Sequence, residues 1–124
     1  MTTWVVNNLG PDIPMHFSGF HPDWKMMDKP RTPKSTLQRA REIALSNGVR
    51  YAYTGNVYDF EGHSTYCHSC QDRLIGRDWY QLSDWNIRFD GNYSGNCVGC
   101  GEPVAGIFEQ KPGDWGRKRM RVQI

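Results

Sequence analysis

Two short stretches, "TYCHSCQDRL" at 65–74 and "GNCVGCGEPV" at 95–104, hold all four cysteines of the chain. Cys67 and Cys70 enclose two residues, Cys97 and Cys100 enclose two more, and 26 residues separate the pairs. Two intervening residues let both thiolates of a pair reach one ion from a tight knuckle, and four thiolates close a tetrahedral shell about 2.3 Å from it. Such pairs are usually separated by about 15–20 residues; the longer interval here leaves room for a hairpin. "CVGCGEP" carries Gly101 directly after its second cysteine, where a knuckle wants a positive φ. "CHSCQDR" carries Gln71 at the matching place, which predicts a less regular first knuckle. Between the pairs, β-rich segments with turns expected at Gly76 and at Asp90-Gly91 complete the layout of a zinc ribbon.

A shell of four thiolates has no open position, so the metal predicted at Cys67, Cys70, Cys97 and Cys100 is structural and no side chain is assigned a catalytic role. Folding of this half is then coupled to metal binding. Zinc is the expected ion. A mononuclear iron site of rubredoxin type, carrying single electrons, is the alternative. A dithiol redox centre explains two knuckles less well than one shared ion. His63 and His68 flank the first pair. The expectation is that His68 points outward from the knuckle and His63 caps the linker, neither acting as a ligand. The tail "GRKRMRVQI", with Arg117, Lys118, Arg119 and Arg121, is expected to be a solvated basic terminus.

The elements that must carry these residues are short. The chain has 124 residues, a net charge of +2 and an apolar share of 38%. That suits one domain or two small ones, and the charge is too near neutral to make nucleic acid an expected partner. Five Trp, six Tyr and five Phe offset the modest apolar share, because each aromatic ring buries a large area. No apolar run reaches the length of a membrane span. "MTTWVVNNLGPD" lacks the basic head and apolar stretch of a signal peptide, so the cytoplasm is the expected compartment. Thiols stay reduced there, which favours metal ligation over disulfides.

The first sixty residues read differently from the rest. "TTWVVNNL" (2–9) forms the last turns of a helix, stopped by Gly10-Pro11. "PMHFSGF" (14–20) is a strand with Met15 and Phe17 on one face and His16 and Ser18 on the other. Thr32 as N-cap and Pro33 at the first helical position open a helix whose buried face is Leu37, Ala40, Ile43 and Ala44. Asn47-Gly48 ends it, and "VRYAYTGNV" (49–57) is a second strand. Strand, helix, strand is a βαβ unit with a parallel pair. Two parallel strands cannot cover both their own faces. The expected organisation is therefore an α/β portion plus a small β portion: residues 1–60 a βαβ fragment of a partial (β/α) barrel, 61–110 a four-cysteine zinc ribbon, and 111–124 a basic tail. Either the chain is a piece of a larger barrel, or another polypeptide completes the sheet, or the cysteine-rich half folds over it; the first is the leading expectation. The segment 20–32 leaves the C-terminal end of the first strand and is long for a βα loop. That end carries the active site in barrels and open α/β sheets. His21, Asp23, Lys25, Asp28 and Lys29 sit there beside Trp24, Met26 and Met27. An ordinary packed loop is the plainer reading.

From about residue 4 to 108, through "HFSGFHPDWKM", "TLQRAREIALSNG", "YTGNV" and the paired cysteines, the sequence resembles the C-terminal part of AmmeMemoRadiSam-type radical SAM proteins, relatives of pyruvate formate-lyase activating enzyme. The resemblance implies a partial (β/α) barrel with S-adenosylmethionine and a [4Fe–4S] cluster, extended by a cysteine-rich module. It implies that His21 contacts the S-adenosylmethionine and that Asp23, Lys25 and Asp28 face the substrate pocket. The family's C-x-x-x-C-x-x-C cluster motif is absent from this chain. The chain alone is thus expected to be inactive, and its partner would be the N-terminal half of the barrel, or a protein or peptide substrate. A stand-alone zinc-ribbon binding module and a rubredoxin-like electron carrier are the other expectations.

Overall fold

A computed structural model of the chain describes residues 1–113. The basic tail with Arg117, Lys118, Arg119 and Arg121 lies outside the described residues. The described residues form a small α/β molecule of three small sheets and a four-cysteine cluster. Helix α1 (Thr2–Leu9) ends where expected: Gly10 takes a φ of +91°, and its N–H donates to the Val6 carbonyl at 3.1 Å. Strand β1 (Met15–Ser18) pairs parallel with β2 (Ala52–Gly55) across α2 (Lys34–Ser46). Ala44, Val49 and Ala52 form one core, covered by Val6, Met15 and Phe17. The Asn47 amide donates to the Thr2 hydroxyl at 2.8 Å and ties the end of α2 to the start of α1.

Two details of α2 differ from expectation. Pro33, in extended conformation, is the N-cap, and Thr32 lies outside the helix. The Thr32 hydroxyl is engaged elsewhere: it accepts the Phe20 N–H at 2.9 Å, while the Thr32 N–H donates to the Phe20 carbonyl at 3.0 Å. This clasp closes the 20–32 loop at its base. Ile43 does not join the buried face and stays 48% exposed. Leu37, Ala40 and Ala44 lie within about one stripe of the helix, whereas Ile43 is rotated well off it at 100° per residue.

The rest of the chain is a short helix and two antiparallel sheets. α3 (Phe60–His63) packs on β2 and on β4. β3 (Thr65–Tyr66), β4 (Arg73–Asp78) and β5 (Gln81–Trp85) form one sheet; β6 (Ile87–Phe89), β7 (Gly95–Cys97) and β8 (Pro103–Val104) form the other. Gly76, expected at a turn, lies inside β4 opposite Asp84. A Cβ there would strike the Asp84 carboxylate and the Ser83 hydroxyl, so glycine serves close cross-strand approach at a bulge. The turn falls at Trp79-Tyr80 instead.

The cysteine-rich half folds over the sheet, one of the three arrangements open at the outset. Ala52 faces the helices, and its neighbours Tyr51 and Tyr53 face the ribbon, as strand alternation requires. Tyr51 is buried in one core with Cys67, Leu74, Ile75, Ile87, Cys97 and Val104. The Tyr53 hydroxyl lies 3.0 Å from that of Thr65, and the Arg77 guanidinium sits 5.8 Å from the Tyr53 ring centre.

Candidate metal centre

Each sheet of the second half builds one knuckle at a hairpin: β3 turns into β4 through Cys67–Asp72, and β7 into β8 through Cys97–Glu102. The two turns are closed by the same bonds. The Cys67 N–H donates to the Asp72 carbonyl and the Cys97 N–H to the Glu102 carbonyl, both at 2.9 Å. The Gln71 N–H returns to the Cys67 carbonyl at 3.0 Å and the Gly101 N–H to that of Cys97 at 2.9 Å. Gln71 adopts a φ of +65°, beside +79° for Gly101. The first knuckle is therefore as regular as the second; the departure at Gln71 costs backbone strain and not geometry. Part of that strain is offset locally, because the Gln71 amide donates to the His68 carbonyl at 3.2 Å.

All four sulfurs lie within 4.8 Å of one another. Cys67 Sγ is 3.6 Å from Cys100 Sγ, and Cys70 Sγ is 3.7 Å from Cys97 Sγ. Sulfurs about 2.3 Å from a common tetrahedral ion stand about 3.8 Å apart, which is the spacing of these two cross-knuckle pairs. All four cysteines are free. Cys67 and Cys97 are each 1% exposed, at the bottom of the ribbon core, while Cys70 and Cys100 face solvent. The donor set and its geometry fit one thiophilic ion such as zinc or iron.

Backbone N–H groups surround the sulfurs. Those of Cys100 and Gly99 point at the Cys97 sulfur, that of Asp72 at Cys70, and that of Glu102 at Cys100. The Cys100 N–H, working against burial and helped by Gly99 and the neighbouring thiols, lowers Cys97 to about 7. The Asp72 N–H favours the Cys70 thiolate, yet burial and the other three sulfurs outweigh it and push Cys70 up to about 12. Cys100 is also raised: burial and the Cys67 and Cys97 thiols overcome the Glu102 N–H. Four thiols in one small space behave this way because the first to ionise holds protons on the others. A divalent cation at their centre would reverse that balance and favour four thiolates.

Neither histidine joins the sulfurs. His68 is largely covered, not outward-pointing, with its Nε2 3.2 Å from Glu102 Oε1 across the two knuckles. His63 is the last residue of α3, whose C-cap is Ser64, and its ring meets Trp79 edge-on at 5.9 Å. His21 is exposed in the 20–32 loop and is not part of the four-cysteine group. Around it, Lys25 lies 4.4 Å over the Trp24 ring and Lys29 pairs with Asp28 at 3.0 Å, while Asp23 accepts the Trp24 N–H at 2.7 Å.

Two supporting residues were not singled out from sequence. Asn86 stitches the knuckles together: its N–H donates to Leu74 O at 2.7 Å, its amide to Arg73 O at 2.8 Å, and its carbonyl accepts the Val98 N–H at 3.2 Å. Nothing in the sequence marks it, since it lies between the two sheets. Asp59 is buried and accepts bonds from Thr54 at 3.1 Å and Gln38 at 3.4 Å, with Lys34 also 3.4 Å away. It joins α2, β2 and α3. Its signal was a position just ahead of "FEGH", where an acidic N-cap belongs.

No helix among the described residues is long and apolar enough to cross a membrane. No family model matches the sequence, and no solved structure matches it. Over 101 residues, 82% of this chain, it is 41% identical to "Uncharacterized protein MJ0808" of Methanocaldococcus jannaschii. The chain spans 29% of the length of that relative.

Proposed function

We propose that this chain is the metal-stapled C-terminal portion of a radical SAM enzyme of AmmeMemoRadiSam type. In this reading a zinc ion held by Cys67, Cys70, Cys97 and Cys100 is structural. The observation that carries it is the arrangement of four free sulfurs within 4.8 Å, drawn from two equivalent knuckles. The ion's work is mechanical. It clamps the hairpins that pack Cys67, Leu74 and Cys97 on Tyr51 and set Thr65 against Tyr53 of the parallel sheet.

The radical SAM part of the reading is supported by the motif resemblance and by the βαβ unit, whose two-stranded parallel sheet is far smaller than such sheets usually are. The match to a relative of much greater length supports it as well. S-adenosylmethionine and a [4Fe–4S] cluster would supply radical chemistry in the assembled enzyme, and only with the three-cysteine motif from an N-terminal partner. His21, on the loop leaving β1, is the residue of this chain proposed to touch the S-adenosylmethionine. The proposed compartment is the cytoplasm, where thiols stay reduced.

Two measurements test it. The DNA ahead of the Met1 codon should encode a C-x-x-x-C-x-x-C motif, in frame or in the adjacent gene. Its absence from both would overturn the enzyme reading and leave a stand-alone zinc-ribbon module. Purified chain should be colourless with about one zinc per chain. A red protein with visible charge-transfer bands would replace the structural zinc with an electron-carrying iron.

A further inference from the structure

At the C-terminal end of β2, where the ribbon meets the parallel sheet, lies a cleft of about 430 Å³ that no ligand of the reading above requires. Small-molecule sites usually measure about 300–1,000 Å³. His16, Tyr53 and Asn56 come from the sheet side; His63, Arg77 and Trp79 come from α3 and the ribbon. No carboxylate of the described residues lines it.

Among the described residues that line it, Arg77 is the one permanent cation. The guanidinium has no carboxylate within ion-pair distance among the described residues, and only its Nη1 donates, to Thr65 Oγ1 at 2.6 Å and His63 O at 3.2 Å. A guanidinium has five N–H donors. With two spent on the scaffold, Nε and Nη2 keep three, a forked set suited to an anion. The two scaffold bonds hold the fork in place beforehand, which lowers the cost of binding.

The aromatic walls are placed with equal care. His16 stacks on Tyr53, with ring centres 5.0 Å apart. Trp79 occupies a two-residue hairpin loop at a φ of +53°, a conformation that hairpins normally give to glycine or asparagine. Asn56, on the facing side, is left-handed too, at +58°. Asn56 takes that conformation readily, but at Trp79 it is strained, and strain of this kind gathers at ligand clamps. Trp79 remains half exposed in spite of its contacts with His63 and Tyr58.

We propose that this cleft binds a small aromatic anion, a planar ring joined directly or through a short linker to a phosphate or carboxylate, with Arg77 gripping the anion and Trp79 stacking on the ring. The site needs only the junction of sheet and ribbon, so it stands or falls apart from the radical SAM reading. Calorimetric titration of the zinc-loaded full chain tests it, using AMP, 4-hydroxybenzoate, adenosine and inorganic phosphate. AMP or 4-hydroxybenzoate should bind saturably, with adenosine and phosphate each at least ~10-fold weaker, a difference of about 1.4 kcal/mol. The tighter of the two ring anions identifies phosphate or carboxylate as the recognised group. Arg77→Lys and Trp79→Leu should each weaken binding ~10-fold, and Trp4→Leu, on α1 away from the cleft, should leave it unchanged. If Arg77→Lys lowers zinc content, Trp79→Leu alone decides. No saturable binding of either ring anion at about 1 mM, or equal weakening by Trp4→Leu, overturns the proposal.

Discussion

The Tyr51 hydroxyl accepts the backbone N–H of Ala105 at 3.2 Å, joining residues 54 apart in sequence and sewing the approach to β2 onto the end of the ribbon. Burial, partly opposed by that N–H, raises the Tyr51 pKa above its usual value, so the hydroxyl stays protonated through the neutral range. Tyr51→Phe should cost about 0.5–1.5 kcal/mol, the worth of one hydrogen bond. Tyr51→Ala should cost about 3–5 kcal/mol, because it also opens a cavity in the core shared with Cys67 and Cys97. Denaturant titration of both variants measures the difference.

Loss of one ligand should divide the molecule along its two cores. Cys97→Ser removes a sulfur buried at the centre of the ribbon. Amide exchange in 65–108 should rise by orders of magnitude, while amides of α2, which pack on the separate Ala44, Val49 and Ala52 core, retain more protection. Equal loss in both regions would show that the clamp at Tyr51 makes a single cooperative unit.

Asp59 should make the fold sensitive to acid. Burial works to raise its pKa, but the Thr54 hydroxyl and the Lys34 ammonium outweigh burial and hold the folded value below 3.8. A depressed carboxylate contributes stability that is present above the unfolded pKa and lost as pH falls through the folded one. Stability should therefore fall as pH drops below about 4. Asp59→Asn should cost about 1–3 kcal/mol at neutral pH and flatten the acid limb. Thermal melts between pH 2.5 and 7 supply the comparison.

Gly76→Ala should destabilise by about 1–3 kcal/mol, since the new methyl meets the Asp84 carboxylate, which Arg73 holds at 2.8 Å. Gly91→Ala provides the contrast. Its φ of +86° carries strain, but no atom lies within 4 Å of the added Cβ, so its cost is backbone strain alone, about 1–2 kcal/mol. A Gly76→Ala protein as stable as the parent would show that the Asp84 and Ser83 side chains make way for the methyl at no cost.

Much of this is legible in the sequence. Gly10 and Pro11 mark a real helix end, and the alternation at Met15–Ser18 is that of a strand with one face on the helices. The cysteine spacing carries the metal-centre geometry, because the knuckle is a local structure closed by bonds within six residues. What escaped was non-local. Thr32 has the composition of an N-cap, but Phe20 takes its hydroxyl. Ile43 has a core composition, but about half of it stays exposed. Gln71 looked like a flaw and is a tolerated left-handed residue. Gly76 looked like a turn because glycine serves turns and close strand approaches alike.

The central claim is that four cysteine sulfurs grip one ion, and X-ray absorption at the metal edge of the purified chain tests it most directly. The account predicts a first shell of four sulfurs at about 2.3 Å with no nitrogen or oxygen neighbour. A shell with fewer sulfurs, or a metal-free protein with its cysteines joined as disulfides, would contradict it.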